Sequence, residues 1–181
     1  MIQSIKKSAV LLLLIAMVTS CNQEPTLQTY YVDNELKPGF SSFDLPTSFI
    51  DVKKVEMTQK QEDAYESVDK LNILTFMKAD TEVDIYTTEL EKVKTILDNP
   101  KYEELMRGGN STDGKFVIKF LGDVENIDEL IIFGHSNNKG FMIARVLGDD
   151  MSANKMMSLA SVLKDADYDQ DQLKDLKAFF N

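Results

Sequence analysis

The sequence predicts a single α+β domain, with one mostly antiparallel sheet of about four strands and helices packed on one face. Residues 115–121, 129–135 and 140–147 are three strand-like segments, and their links are too short for parallel crossovers. Residues 69–77 are apolar on both faces, as a central strand is. Residues 81–97 carry apolar side chains at helical spacing. Runs of strands and runs of helices, without regular alternation, are typical of the α+β class.

The first part of the chain gives weaker signals. Residues 21–40 hold two prolines and a glycine without a sustained period, so we interpret them as a tether, with an early strand through Tyr30 and Tyr31 as the alternative. The apolar cluster of residues 43–52 is interrupted by a proline and predicts only a short extended piece. Thr58 and Gln61 have the spacing of a capping box, which predicts a helix to about residue 67.

The middle and end of the chain alternate between clear helices and clear strands. After the helix of residues 81–97, Asn99 and Pro100 predict a second helix that ends at Gly108. Residues 136–139 read as a hairpin turn, because Asn tolerates positive φ. Ser152 predicts the start of a helix, and residues 171–180 predict a last, short one.

Residues 1–20 have the layout of an export signal that ends at the one cysteine of the chain. Lys6 and Lys7 precede an apolar run of residues 9–18, which as a helix is about 15 Å long at ~1.5 Å per residue. A bilayer core is ~30 Å thick, so the run is too short to span it comfortably. Cys21, directly after a Val-Thr-Ser segment, resembles the lipobox of bacterial lipoproteins, in which this cysteine is lipidated.

That segment divides the chain into a signal peptide (1–20), a tether (21–40) and one domain (41–181). A cleaved secretory signal that leaves a free thiol and an uncleaved helical anchor are the alternatives to lipidation. Two or more acyl chains anchor a protein stably, so we expect a membrane partner through lipidated Cys21. Asn22 resembles the residue that follows the cysteine in outer-membrane lipoproteins, which favours the periplasmic face of that membrane.

The charge balance excludes one class of partner. The chain has a formal net charge of −10, and removal of residues 1–20 leaves 18 Lys and Arg against 30 Asp and Glu, a charge of −12. A strongly acidic protein does not bind nucleic acid or anionic lipid by charge, so we expect neither. Its charge keeps the domain soluble.

Two loops imitate ligand-binding motifs incompletely. Residues 109–115 resemble a phosphate-binding loop, but Phe116 stands where Ser or Thr would bind magnesium. Alternating carboxylates imitate a calcium loop, but the sixth position lacks Gly and the twelfth lacks Glu, so the prediction is a solvated acidic turn with only weak divalent binding as the alternative. These candidate metal ligands are Asp165, Asp167, Asp169 and Asp171. No cofactor is predicted.

His135 is the only histidine and lies where a predicted strand meets a turn. Zinc sites need several His or Cys ligands, which the chain does not supply. A Ser-His-Asp arrangement is compatible with the composition, but the chain has no Gly-x-Ser-x-Gly elbow. We therefore interpret His135 as a surface residue. The late methionines of residues 142–157 favour core filling over an adaptable binding surface.

The strand pattern also carries a family resemblance. Glu129-Leu130-Ile131-Ile132, the run from Phe141 to Val146 and the corner Gly148-Asp149-Asp150-Met151, taken with residues 71–76 and the lipobox, resemble the bacterial lipoprotein family catalogued as domain of unknown function 4252. The resemblance covers residues 43–163. It implies a small exported α+β domain without an established activity, and it transfers no catalytic residue.

Three functions remain open. The first is a non-catalytic binding or interaction module at the outer membrane, with an envelope protein as partner, because no metal set, nucleophile motif or phosphate loop is found. The second is an envelope hydrolase that uses acidic residues and His135, for which a pocket with paired carboxylates near His135 is the discriminating observation. The third is a structural envelope protein.

Overall fold

A six-stranded antiparallel sheet organises the molecule. The computed structural model describes residues 24–52, 55–78, 83–110, 112, 114–162 and 167–168. In these ranges the helices and strands are α1 (Leu27–Asn34), β1 (Phe40–Pro46), β2 (Ile50–Asp51), α2 (Gln59–Glu66), β3 (Val68–Met77), α3 (Val83–Leu97), β4 (Glu103–Asn110), β5 (Gly114–Asp123), β6 (Asn126–Ser136), β7 (Gly140–Met151), α4 (Ala153–Val162) and β8 (Asp167–Tyr168), with a 3₁₀ turn at Thr47–Phe49.

The α+β class is confirmed, but the prediction of about four strands is wrong. The strand order is β1-β3-β7-β6-β5-β4, with every neighbouring pair antiparallel. The two additional strands, β1 and β4, form the edges of the sheet. β2 and β8 pair separately in a two-stranded sheet.

Helices pack on both faces of the sheet, whereas the sequence predicted one covered face. Ile131 and Phe133 of β6 belong to the core that includes α1 and α3. Leu130, on the same strand but on the opposite face, belongs to a second core that includes α2 and α4. We call these two sides the Phe133 face and the Leu130 face. The continuous burial of residues 72–76 in β3 and 143–146 in β7 reflects cover on both sides.

Residues 100–108 do not form the predicted helix. After a turn at Asn99, whose side chain accepts from the main-chain N–H of Lys101 at 3.1 Å, the chain enters strand β4. Gly109 has φ +93° and pairs beside β5, so it opens the hairpin instead of capping a helix. The helix propensity of residues such as Glu and Leu is overridden here, because pairing with β5 gives hydrogen-bond partners to the main-chain N–H and C=O groups of β4.

The interpretation of residues 21–40 as a tether is wrong for residues 27–34, which form α1, and the alternative of a strand through Tyr30 and Tyr31 is wrong as well. Both tyrosines are buried in the core of the Phe133 face. The main-chain N–H of Leu27 donates to the Tyr102 hydroxyl at 3.1 Å, and the hydroxyl of Tyr31 donates to Asp44 at 3.1 Å. α1 is therefore part of the folded domain.

Other local predictions are confirmed. The Thr58 N–H donates to Gln61 Oε1 at 2.9 Å as α2 begins, and the Lys155 N–H donates to Ser152 Oγ at 3.3 Å as α4 begins. Residues 136–139 form the turn between β6 and β7. The predicted helix of residues 171–180 lies outside the described residues, as do residues 79–82 before α3.

Candidate binding cleft

His135 lies near the end of β6, on the Phe133 face, at the side of the sheet that α3 leaves open. In the register of the sheet it stands between Lys115 of β5 and Phe141 of β7. Its ring stacks on Phe133, with 5.6 Å between the ring centroids and 28° between the planes. The position of His135 at a strand end beside a turn is therefore confirmed, but the residue is half-buried and not simply on the surface.

A cleft opens beside His135, between the end of α3 and strands β4 to β6. Its volume is 240 Å³. Strand alternation aims the side chains of Lys115, Val117 and Lys119 at this face, because residues i, i+2 and i+4 share one side of a strand. The charged residues that line it are Lys94, Asp98, Glu104, Arg107, Lys115 and Lys119, and the apolar ones include Leu97, Phe116, Val117 and Phe133.

Most of the cations in the cleft already have partners. Lys94 forms an ion pair with Glu91 at 2.8 Å. Arg107 forms two hydrogen bonds with Glu104, of which the Nε bond measures 2.6 Å.

Lys119 donates to the carbonyl of Leu97, at the end of α3, at 2.5 Å and to that of Tyr102 at 3.1 Å. Lys115 differs from the other three cations, because its side chain forms no ion pair or hydrogen bond with any described residue. It is therefore the cation of the cleft that is available to a ligand.

The electrostatics around His135 favour the neutral imidazole. Burial lowers the pKa of His135 below its ordinary value, and the positive charges of Lys94 and Lys115 lower it further, while Glu91 acts weakly in the opposite direction. Nδ1 of His135 is the one buried side-chain nitrogen or oxygen of the described residues that has no hydrogen-bond partner. Unpaired buried polar atoms are uncommon and often mark a functional site.

The cleft brings His135 together with two carboxylates but does not arrange them as a catalytic set. Glu104 is held by Arg107, and Asp98 lies at the end of α3. Neither carboxylate forms a hydrogen bond with His135 in the described part of the chain. A general base is normally oriented by a hydrogen bond to its second nitrogen, which is absent here. The geometry supports binding of an anion better than hydrolysis.

A second concave surface lies between α1 and α3. This groove has a volume of 520 Å³ and is lined by residues of both charges. Both of its lysines already have side-chain partners. Lys37 donates to the side chain of Asn34 at 2.9 Å, and Lys92 forms an ion pair with Glu89 at 2.6 Å. The groove therefore offers no unpaired charge of the kind that Lys115 provides in the smaller cleft.

The other candidates from the sequence do not join this site. Cys21, Asp165, Asp169 and Asp171 lie outside the described residues, and Asp167 is in β8. In the described ranges, no group of His, Cys, Asp and Glu is arranged to hold a metal ion. The loop that resembles a phosphate-binding motif joins two strands, β4 and β5, so no helix N-terminus follows it.

The late methionines contribute mainly to the core, as the sequence favoured. Met151 and Met156 are buried in the core of the Leu130 face, and Met142 is partly buried on the same face. Only Met157 of this group is largely exposed, at 70%. The methionines therefore do not form a continuous binding surface.

A protein-family model described as Domain of unknown function (DUF4252) matches residues 31–159, which is more than half of the chain. The chain belongs to the DUF4252 family. Every residue that lines the cleft lies within the matched range, whereas Cys21 and Asp165 to Asp171 lie outside it. The match begins inside α1, so the second half of that helix lies within the matched range.

Neither the curated proteins nor the solved structures give a significant match to this DUF4252 chain. In the residues that the structure covers, no helix is both long and apolar enough to cross a bilayer.

The sequence pointed to His135 but not to the cations around it. They come from α3, β4 and β5, which are distant in the chain, and no motif links them. One signal was available, because Lys115 and Lys119 are four residues apart in a predicted strand and must share a face. What the sequence could not show is that a cleft remains between the end of α3 and strands β4 to β6.

Proposed function

We propose that the chain is a non-catalytic binding module, held in the cell envelope at the periplasmic face of the outer membrane by a lipid on Cys21, and that its ligand binds in the cleft beside His135. The lipobox-like segment supports the anchor. The cleft supports the binding role, because cations converge there in a chain of net charge −10. The single observation that carries the binding role is that Lys115, whose side chain has no partner among the described residues, lines a cleft that also has an apolar surface.

A binding role accounts for the cleft better than hydrolysis. Hydrolysis by His135 requires a carboxylate or a nucleophile placed against the ring, and the described residues put neither within hydrogen-bond distance. A purely structural role does not explain the buried Nδ1 of His135, which has no hydrogen-bond partner among the described residues. A buried polar atom of this kind is stabilised when a ligand supplies the missing partner.

The anchor is tested by mass spectrometry of the full chain expressed in a bacterium. We expect the mature protein to begin at Cys21 and to carry the mass of acyl chains on that residue. The variant Cys21→Ser should lose the acyl mass and move from the membrane fraction to the soluble fraction. A mature N-terminus at another residue, or an unmodified Cys21, would contradict the anchor.

The cleft is tested by labelling an introduced thiol, because lipidation leaves the chain without another free cysteine. Asp98→Cys places a thiol at the cleft without removing a cation, and Asp84→Cys places one at the exposed start of α3 as a control. If the envelope supplies the ligand, a neutral maleimide should react more slowly with Asp98→Cys in native envelopes than in the purified protein. Asp84→Cys should show no such difference. Equal slowing at both sites, or at neither, would contradict ligand binding in the cleft.

A further inference from the structure

We infer that the ligand of the cleft is a small organic monoanion with an apolar body, such as an aromatic or aliphatic monocarboxylate. This inference rests on the proposed function, because it names the class of ligand for the same site. It is argued from the charge left available in the cleft, from the apolar residues behind that charge and from the size of the cavity.

The charge left available is close to one unit. Lys94, Arg107 and Lys119 are each held by a carboxylate or by carbonyl oxygens, so Lys115 remains for the ligand. A dianion such as phosphate is usually bound by several cationic or main-chain donors that point at it together. One lysine, which acts as a point charge, matches a single carboxylate.

The apolar side of the cleft predicts the rest of the ligand. Val117 stands in register between Arg107 and Phe133, so it forms an apolar surface directly beside the charged positions. Leu97 and Phe133, which are themselves buried, also line the cleft, so the surface behind Lys115 is apolar. A ligand that carries only charge would gain nothing from this apolar surface, whereas an apolar body attached to the carboxylate would lie against it and leave water.

The size of the cavity limits the ligand further. Pockets for drug-sized molecules are ~300–1,000 Å³, and the volume here is 240 Å³. The ligand is therefore smaller than a typical drug. A benzene ring or a short acyl chain with one carboxylate has the expected size.

The inference is tested with benzoate and hexanoate against their neutral amides, benzamide and hexanamide. Each compound is titrated into the full-length protein in detergent, and binding is followed by calorimetry. Two variants complete the test. Lys115→Gln removes the available cation, and Lys70→Gln removes an exposed lysine of β3 that does not line the cleft.

We expect benzoate or hexanoate to bind and its amide to bind at least about fivefold more weakly, because the amide lacks the charge that pairs with Lys115. Lys115→Gln should weaken carboxylate binding about two- to fivefold, and Lys70→Gln should not change it. Binding of the amide as tight as that of the carboxylate would overturn the inference. So would equal effects of the two lysine variants, or no binding of either carboxylate.

The outcome can be separated from that of the labelling experiment. Slowed labelling of Asp98→Cys in envelopes, without binding of either carboxylate, would retain the cleft as a binding site and reject this class of ligand. Unchanged labelling together with absent carboxylate binding would reject the site itself.

Discussion

The hydroxyl of Tyr30 donates a hydrogen bond to Oε2 of Glu89 at 2.8 Å and so connects α1 to α3. Both residues are buried, and Glu89 also pairs with Lys92 at 2.6 Å. Burial, with the hydrogen bond to Glu89, raises the pKa of Tyr30, so the phenol keeps its proton and stays a donor at physiological pH. The contact makes α1 a part of the folded domain.

Tyr30→Phe should destabilise the domain, because it leaves Oε2 of a buried Glu89 without this donor. Hydrogen bonds to charged groups contribute ~1.5–3 kcal/mol, and we expect a loss of that size in the free energy of unfolding. Tyr86→Phe is the matched control, since the Tyr86 hydroxyl donates to the neutral carbonyl of Ser136 at 3.0 Å and should contribute ~0.5–1.5 kcal/mol. Denaturant titration measures both. A smaller loss for Tyr30→Phe than for Tyr86→Phe would contradict the charged hydrogen bond.

A second prediction concerns the buried pair of Glu129 and Arg145. The Arg145 side chain donates to both carboxylate oxygens of Glu129, at 2.6 and 3.0 Å, and both side chains are almost completely buried. Removal of one partner leaves an uncompensated charge in the core. We therefore expect Glu129→Leu or Arg145→Met alone to cost ~3–5 kcal/mol, and the double variant to cost less than either.

A double-mutant cycle measures this coupling, and the exposed pair of Glu91 and Lys94 is its control. The control pair also has a short ion-pair distance, 2.8 Å, but Glu91 is largely exposed and Lys94 is partly exposed. Its coupling energy should be below ~1 kcal/mol. Similar coupling energies for the two pairs would mean that burial does not set the strength of the Glu129–Arg145 interaction.

The third prediction is a pH dependence that comes from His135. Since its pKa is lowered in the folded state from the ordinary 6.5, the unfolded chain binds more protons between the folded pKa and 6.5. The contribution of His135 to stability is therefore complete above pH 6.5 and is lost as the pH falls from 6.5 through the folded pKa. Between pH 7.5 and 5.5, the wild type should lose more stability than His135→Asn.

The cause of this shift can be tested separately by NMR titration of the His135 ring. Lys115→Gln removes one of the two positive charges that lower the pKa, so the midpoint should rise toward 6.5. Lys70→Gln, away from the cleft, should leave the midpoint unchanged. A wild-type midpoint at or above 6.5 would show that burial and the lysines do not control this histidine.

The fourth prediction concerns Gly108, which lets the Phe116 ring lie against β4. A Cβ at residue 108 would lie 2.7 Å from Cε1 of Phe116. Because Phe116 is partly exposed, its ring can swing away, and we expect Gly108→Ala to cost at most about 1 kcal/mol of stability. Denaturant titration measures this loss.

Gly148 provides the contrast for Gly108→Ala. A Cβ at residue 148 would meet the main-chain oxygen of Ser67 at 2.0 Å, and a main chain cannot swing aside as an exposed ring can. Gly148→Ala should therefore destabilise the domain by more than Gly108→Ala. An equal or smaller loss at Gly148 would indicate that β3 and β7 separate easily at this point.

The sequence predicted those elements whose signal is local. The alternation and turn of residues 129–147 and the helical spacing of α3 were sufficient to identify a hairpin and a helix. β4 was missed because its residues favour a helix and because its structure depends on pairing with β5. α1 was missed because its eight residues show little period, and it is stabilised by distant partners such as Glu89 and Tyr102.

In the candidate site, too, the sequence predicted what has a local signal and missed what depends on residues distant in the chain. His135 was visible as the one histidine, but its environment depends on Lys94 and Lys115, which reach it only through the strand register and the end of α3. The sequence indicated that β3 is apolar on both faces, but it could not show which helices cover the two sides of the sheet.

The start of α1 at Leu27 has a consequence for how far the domain could move from a membrane. Five residues, 22–26, lie between Cys21 and Leu27, which makes six steps from one Cα to the next. Even fully extended, this segment reaches only about 20 Å at ~3.5 Å per step. A lipid on Cys21 would therefore keep this protein in the water layer next to the headgroups, and any molecule it recognises would have to be met at that surface.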